Sequence, residues 1–104
     1  MQTPWGVSQD EKVFAEGIVS VSTAGHGGFC VSPEKQKEMP KIFRRGKWYE
    51  EDCEWCFVVL SFPEHFEEEV WKQALSTLMD WYPDLYMEYK RKEKEEEDDR
   101  KRRV

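Results

Sequence analysis

The sequence has no run of about 18 consecutive apolar residues, the length that a membrane-spanning helix needs. Its first eight residues also lack the basic start and the apolar run of a signal peptide. With 104 residues, the chain is too short for two ordinary domains, which run to about 100–150 residues each. We therefore expect a single soluble domain that stays inside the cell and has no membrane partner.

Cysteine is scarce, and its count is odd: the three residues are Cys30, Cys53 and Cys56. Small secreted domains held by disulfides carry an even number of cysteines and a secretory signal. A disulfide framework is therefore the weaker interpretation, and we expect reduced thiols.

Basic residues are absent between positions 50 and 69, where eight acidic side chains occur. The formal net charge is −6, but residues 1–87 carry fifteen acidic and eight basic side chains, whereas residues 88–104 carry seven and eight. An acidic body repels phosphate groups at long range, which argues against direct nucleic-acid binding and favours a basic protein partner. The eight acidic residues are candidate binding residues: Glu50, Glu51, Asp52, Glu54, Glu64, Glu67, Glu68 and Glu69.

Aromatic residues, by contrast, are abundant, at 14% of the chain, and can supply a core despite the low aliphatic content. Alternating apolar residues, many of them β-branched, predict a strand over residues 13–23. Three glycines within residues 25–28 predict a tight connection to a second strand over residues 29–31. The N-terminal part is therefore predicted to form a β-hairpin or small sheet.

Helices are predicted in the rest of the chain. The sequence Ser32-Pro33-Glu34 is typical of a helix start and predicts a short helix over residues 33–39. Apolar residues at three- and four-residue steps predict a helix over residues 64–81, and Pro83 separates it from a last helix. Residues 55–60 form an unbroken apolar run that belongs to the core as a strand or as a helix; we favour a buried strand over residues 55–61, because valine and aromatic residues dominate it.

These elements define an α+β fold in which a small N-terminal sheet packs against two or three helices. We expect a compact domain over residues 1–87 and a charged, frayed helical tail over residues 88–104. In the tail, acidic residues precede basic ones by four positions, as Glu97 does Lys101, which supports a solvated helix.

Candidate chemical groups are few. His26 lies in the glycine-rich turn, where it either bonds to backbone groups or acts as a base or ligand. Together with His26, the three cysteines offer four ligands of the kind that bind zinc, but their spacing is not that of two paired knuckles. Cys53 and Cys56 form a Cys-x-x-Cys pair, whose redox use requires the strand-to-helix junction of a βαβ unit, which the pattern does not predict. We predict no metal and no cofactor.

The acidic run over residues 50–54 has several interpretations. It is either a solvated, helix-starting charge run, a divalent-cation site, an acid/base pair or a docking face for a basic partner. An enzymatic alternative is a small hydrolase or metal-dependent enzyme with His26 as base or ligand. Its carboxylate partner would be Asp52 or Glu51, and its nucleophile Cys53.

Several motifs together resemble a small uncharacterised domain family of bacteriophages, plasmids and other mobile elements, over residues 3–86. They are Thr3-Pro4-Trp5-Gly6, Ser22-Thr23-Ala24-Gly25-His26-Gly27-Gly28-Phe29, Ser32-Pro33-Glu34, the segment Trp48 to Trp55, Phe62-Pro63, and Asp80-Trp81-Tyr82-Pro83-Asp84. The resemblance implies a mobile-element source, and a family-wide site built from His26 and residues 48–53.

We therefore expect a non-enzymatic acidic protein that binds and inhibits a host protein in the bacterial cytoplasm. The expected target has a basic nucleic-acid-binding surface. The chain itself would then be a counter-defence factor of the anti-CRISPR or anti-restriction type. A third hypothesis is an assembly role in which the tail helix pairs with another chain. The oligomeric state is left open.

Overall fold

A computed structural model describes residues 1–102, which adopt the predicted α+β fold with a sheet in the N-terminal half and helices in the C-terminal half. Positions 103 and 104 of the predicted tail lie outside the described residues. In chain order, the elements are β1 (Gln2–Thr3), β2 (Gly6–Val7), β3 (Asp10–Ala15), β4 (Ile18–Ser22), β5 (Gly27–Val31), α1 (Pro33–Gln36), β6 (Trp48–Glu50), α2 (Trp55–Ser61), a 3-10 turn (Pro63–His65), α3 (Glu68–Trp81) and α4 (Pro83–Arg102).

The main sheet is antiparallel, with strand order β3-β4-β5-β6. The single strand predicted over residues 13–23 is wrong, because the chain turns back at Glu16 and Gly17 to form β3 and β4. Gly17 adopts a φ of 86°, which L side chains rarely tolerate, so this glycine permits the turn. The predicted hairpin across the glycine-rich segment is confirmed, with Ile18 opposite Val31 in the register of β4 and β5.

The two faces of the sheet have different coverings. Ile18, Val31 and Tyr49 lie fully buried in the core that the sheet shares with the helices. On the opposite face, the Trp5 ring from the β1–β2 hairpin lies over Gly28 and packs edge-to-face on Trp48, with ring centroids 5.7 Å apart. The N-terminal hairpin therefore covers part of the face that points away from the helices.

Residues 55–61 form helix α2, so the strand predicted there is wrong. The five residues from Cys56 to Leu60 are all buried, because the sheet, α3 and the segment containing Met39 and Phe43 surround the helix. A helix that is buried on every side carries no polar stripe, so its apolar run has the same appearance as that of a buried strand.

The bounds of two other helices differ from the predicted bounds by about one helical turn. Helix α1 ends at Gln36 rather than at residue 39, since residues 37–39 continue as turns before Pro40. The helix predicted over residues 64–81 is interrupted at Phe66, which is extended and packs between Phe14 and Phe29. Regular helix α3 begins only at Glu68.

Helix α4 is continuous from Pro83 to Arg102, and its first turns belong to the core. The Tyr89 ring packs against Phe43 in a tilted arrangement, with ring centroids 5.6 Å apart. Beyond it, the helix carries charge pairs such as Glu97–Lys101, as predicted, at 3.6 Å. Within residues 1–102, no helix is long and apolar enough to cross a bilayer.

Replacing Gly28 by alanine should destabilise the fold. A Cβ atom there would clash with the Tyr49 carbonyl and lie 2.6 Å from the Trp5 ring. We expect a loss of about 2–4 kcal/mol in the free energy of unfolding, measured by urea titration. Gly25→Ala is the control, because a Cβ at Gly25 meets no atom within 4 Å. Equal losses in both variants would contradict this packing.

The part of α4 that contributes to stability should end near Tyr89. Tyr89→Ala removes a half-buried ring from the Phe43 contact, so we expect it to cost about 2 kcal/mol. A chain that stops after Lys94 should unfold within about 0.5 kcal/mol of the full chain, because residues 95–101, the part of the lost segment whose burial the structure describes, are all exposed. Urea titration of both proteins measures this, and a larger loss from the truncation would refute it.

Candidate functional site

Four carboxylates are gathered at the end of β6 and in the short connection to α2, a group that we call the acidic turn: Glu50, Glu51, Asp52 and Glu54. The backbone holds the turn against the sheet, because the Glu51 amide donates to the Gly27 carbonyl at 3.0 Å. The Glu50 amide donates to Oε1 of Glu54 at 3.4 Å. The predicted acidic first helical turn is therefore a loop that precedes α2.

The carboxylates of the acidic turn crowd one another. A hydrogen bond with the Asp52 carboxyl raises the pKa of Glu50 above its usual value, and the negative charge of Glu54 adds to this effect. Glu51 and Asp52 are exposed. Within residues 1–102, none of the four forms an ion pair with a basic side chain. The acidic turn therefore presents negative charge that is not offset by an ion pair with any lysine or arginine of the described residues.

The other four predicted binding residues lie elsewhere, in a group that we call the acidic helix start: Glu64, Glu67, Glu68 and Glu69. Tyr82, at the end of α3, bonds to Cys53 near the start of α2, so the two helices run in opposite directions. The acidic helix start follows the C-terminal end of α2, so the length of α2, about 10 Å, separates it from the acidic turn. Lys72 lies 3.8 Å from Glu68 and 3.9 Å from Glu69, which partly neutralises this group.

His26 is exposed in the turn between β4 and β5. Its backbone amide donates to Oγ1 of Thr23 at 3.1 Å, and its carbonyl accepts from the Thr23 hydroxyl at 2.8 Å. The imidazole lies close enough to Glu50 for its positive charge to lower the pKa of that carboxyl. The structure therefore places His26 beside the acidic turn, with the backbone bonds of an ordinary turn residue.

The three cysteines occupy different environments. Cys30 lies on the sheet face away from the helices, in register with Val19 and Trp48. Cys53 is half-buried and its Sγ accepts a hydrogen bond from the Tyr82 hydroxyl at 3.2 Å. Cys56 is fully buried, and burial raises the pKa of its thiol to about 12. Among the described residues, no group of three or more His, Cys, Asp or Glu side chains could hold a metal ion.

Tyr82 is the site neighbour that sequence reasoning missed. It is 29 positions from Cys53, so no local pattern links the two residues. The sequence does contain one signal, Pro83, which predicts that a helix ends at Tyr82. It does not indicate that the Tyr82 side chain contacts Cys53. Cys53 precedes α2 and Cys56 lies in its first turn, but among the described residues no strand follows α2, so the pair does not lie in a βαβ unit.

The fold and the site define a small α+β protein with an unneutralised acidic turn beside a glycine-rich hairpin. The chain belongs to the family described as Domain of unknown function (DUF7007), whose model matches residues 1–104. No curated protein matches the chain, and no solved structure does.

The crowding of Glu50 and Asp52 should appear in the pH dependence of stability. Because folding raises the pKa of Glu50, its protonated form favours the folded state, and this stabilisation is lost as the pH rises through the raised pKa. We expect Glu50→Gln, which stays neutral, to raise the urea midpoint at about pH 7 and to leave it unchanged at about pH 3.

Glu16→Gln, at an exposed carboxylate in the β3–β4 turn, is the matched control and should leave the midpoint unchanged at both pH values. A lower midpoint for Glu50→Gln at neutral pH would show that the charged form of Glu50 is the stabilising one, against the crowding seen here.

Proposed function

We propose that this chain is a non-enzymatic binding protein of a bacteriophage or another mobile element. It acts in the cytoplasm of the bacterial host, where it inhibits a host protein that has a basic nucleic-acid-binding surface. A CRISPR effector or a restriction enzyme is a target of this kind. The observation that carries the proposal is the acidic turn, whose four carboxylates have no basic ion-pair partner within residues 1–102.

The electrostatics of the acidic turn favour a cationic partner. The pKa of Glu50 is raised first by its hydrogen bond with the Asp52 carboxyl, and the negative charges of Asp52 and Glu54 add to this effect, because like charges held this close repel. A lysine or arginine from a partner relieves this repulsion, so binding gains both the new attraction and the loss of the repulsion. Carboxylates presented where phosphates bind also compete for a basic channel, and long-range attraction speeds their encounter with it.

A shallow cavity beside the acidic turn fits the shape of such a partner side chain. Its volume is about 270 Å³, and it is lined by Ser20, Val21, Gly28, Phe29, Glu51 and Trp55. The rings of Phe29 and Trp55 offer apolar surface for the aliphatic stem of a lysine or arginine, while Glu51 meets its charged end. This pairing of apolar lining and carboxylate supports a basic side chain as the docking group.

The acidic helix start is not part of this surface, because α2 separates the two groups and Lys72 offsets some of its charge. The enzymatic alternative is not favoured by the geometry either. The Cys53 thiol is hydrogen-bonded to the Tyr82 hydroxyl, whereas a nucleophile of this type needs a base such as His26 within hydrogen-bond distance.

Affinity capture from bacterial host lysate tests the proposal. We expect the wild-type chain to retain a nucleic-acid-handling protein at low salt, and to release it at high salt or when short duplex DNA is added. Glu51→Lys combined with Asp52→Lys should reduce the captured amount at least about tenfold, because both residues are exposed in the acidic turn.

Glu67→Lys combined with Glu68→Lys is the matched control, with the same change of charge at two exposed positions of the acidic helix start. It should retain the captured protein at the wild-type level. If both double variants lose the protein equally, or if capture is independent of salt and of DNA, the acidic turn is not the docking surface.

A further inference from the structure

The Cys53–Cys56 segment has a backbone geometry that brings its two side chains together. The Cys56 amide lies 3.5 Å from the Cys53 carbonyl, and the Phe57 amide donates to the Glu54 carbonyl at 3.0 Å. Both contacts join residues three apart, which is the pattern of a 3-10 turn, where side chains at positions i and i+3 eclipse. The charge of Cys53 also contributes to the raised pKa of Cys56, as expected for neighbouring thiols.

The two thiols differ in access and in partners. Cys53 is half-buried and accepts the hydrogen bond from the Tyr82 hydroxyl. Cys56 is fully buried in the core. A reagent from solution therefore reaches Cys53 first, and Cys56 can react only with a sulfur that is already held beside it.

We propose that Cys53 and Cys56 form a reversible dithiol–disulfide site whose oxidant is a low-molecular-weight disulfide, with cationic disulfides preferred over anionic ones. This inference stands on the thiol geometry and does not depend on the proposed function.

The reaction takes two exchange steps. The Cys53 thiolate attacks one sulfur of the reagent disulfide, so that bond breaks, a Cys53–reagent mixed disulfide forms and one reagent thiolate leaves. The Cys56 sulfur then attacks Sγ of Cys53, forms the Cys53–Cys56 bond and releases the second thiolate. The two protein sulfurs lose two electrons, which reduce the reagent, and the two thiol protons end on the released thiols.

The preference for a cationic reagent follows from the surroundings of Cys53. Glu50, Asp52 and Glu54 lie within three positions of it in the acidic turn, and their charge attracts a cation and repels an anion. Burial raises the pKa of the Cys56 thiol to about 12, so the second step relies on proximity to Cys53 rather than on abundant thiolate.

The test uses the reduced full chain with two probes, cystamine, which is a dication, and oxidised glutathione, which is an anion. After acid quench and alkylation of the remaining thiols, peptide mapping should find a Cys53–Cys56 disulfide and an alkylated Cys30. We expect the disulfide to form at least about tenfold faster with cystamine at low salt, with the ratio falling as salt is added.

Variants separate the two steps. Cys56→Ala should stop at the mixed disulfide on Cys53, while Cys30→Ala, the matched control, should react at the wild-type rate. If circular dichroism shows that Cys56→Ala is unfolded, the proposal is tested by the wild-type peptide map alone, through the presence or absence of the Cys53–Cys56 disulfide. A stable mixed disulfide in the wild type, equal oxidation of Cys30, or a faster reaction with oxidised glutathione would overturn the proposal.

Discussion

The complete burial of helix α2 is the constraint on which the rest of the structure depends. Five consecutive residues, Cys56 to Leu60, are removed from water, so every side of the helix needs an apolar neighbour. The sheet supplies one side, α3 another, and Met39 and Phe43 from the segment before β6 a third. This is also why a short chain needs so many aromatic rings: the helix is small, and large side chains fill the space around it at low cost in chain length.

The same burial explains where sequence reasoning succeeded and where it did not. Helix α3 has one apolar stripe, so its three- and four-residue period was visible and its end before Pro83 was predicted correctly. Helix α2 has no polar side, and its Val58-Val59 pair favours a strand by intrinsic preference, so tertiary surroundings decided its state. The turn at Gly17 was missed because β-branched residues continue on its C-terminal side without a cluster of turn residues.

For the candidate site, the local part was predictable and the distant part was not. Glu50, Glu51, Asp52 and Glu54 are close in the chain, so their crowding followed from the sequence. The pairing of β5 with β6 then brings the β4–β5 turn to the same end of the sheet as the acidic turn, which places His26 beside its carboxylates. The contact between Tyr82 and Cys53 results from the reversal of direction between α2 and α3, which residue counts along the chain do not reveal.

Tyr82 ends α3 immediately before Pro83 begins α4, and its hydroxyl is bonded to the Cys53 sulfur. The Tyr82 hydroxyl therefore links the junction of α3 and α4 to the segment that leads into the buried helix α2. A helix of 20 residues such as α4 is about 30 Å long. The first turns of this helix are packed against the core up to Tyr89, so residues 90–101, about 18 Å of helix, carry their charged side chains beyond the packed part of the domain.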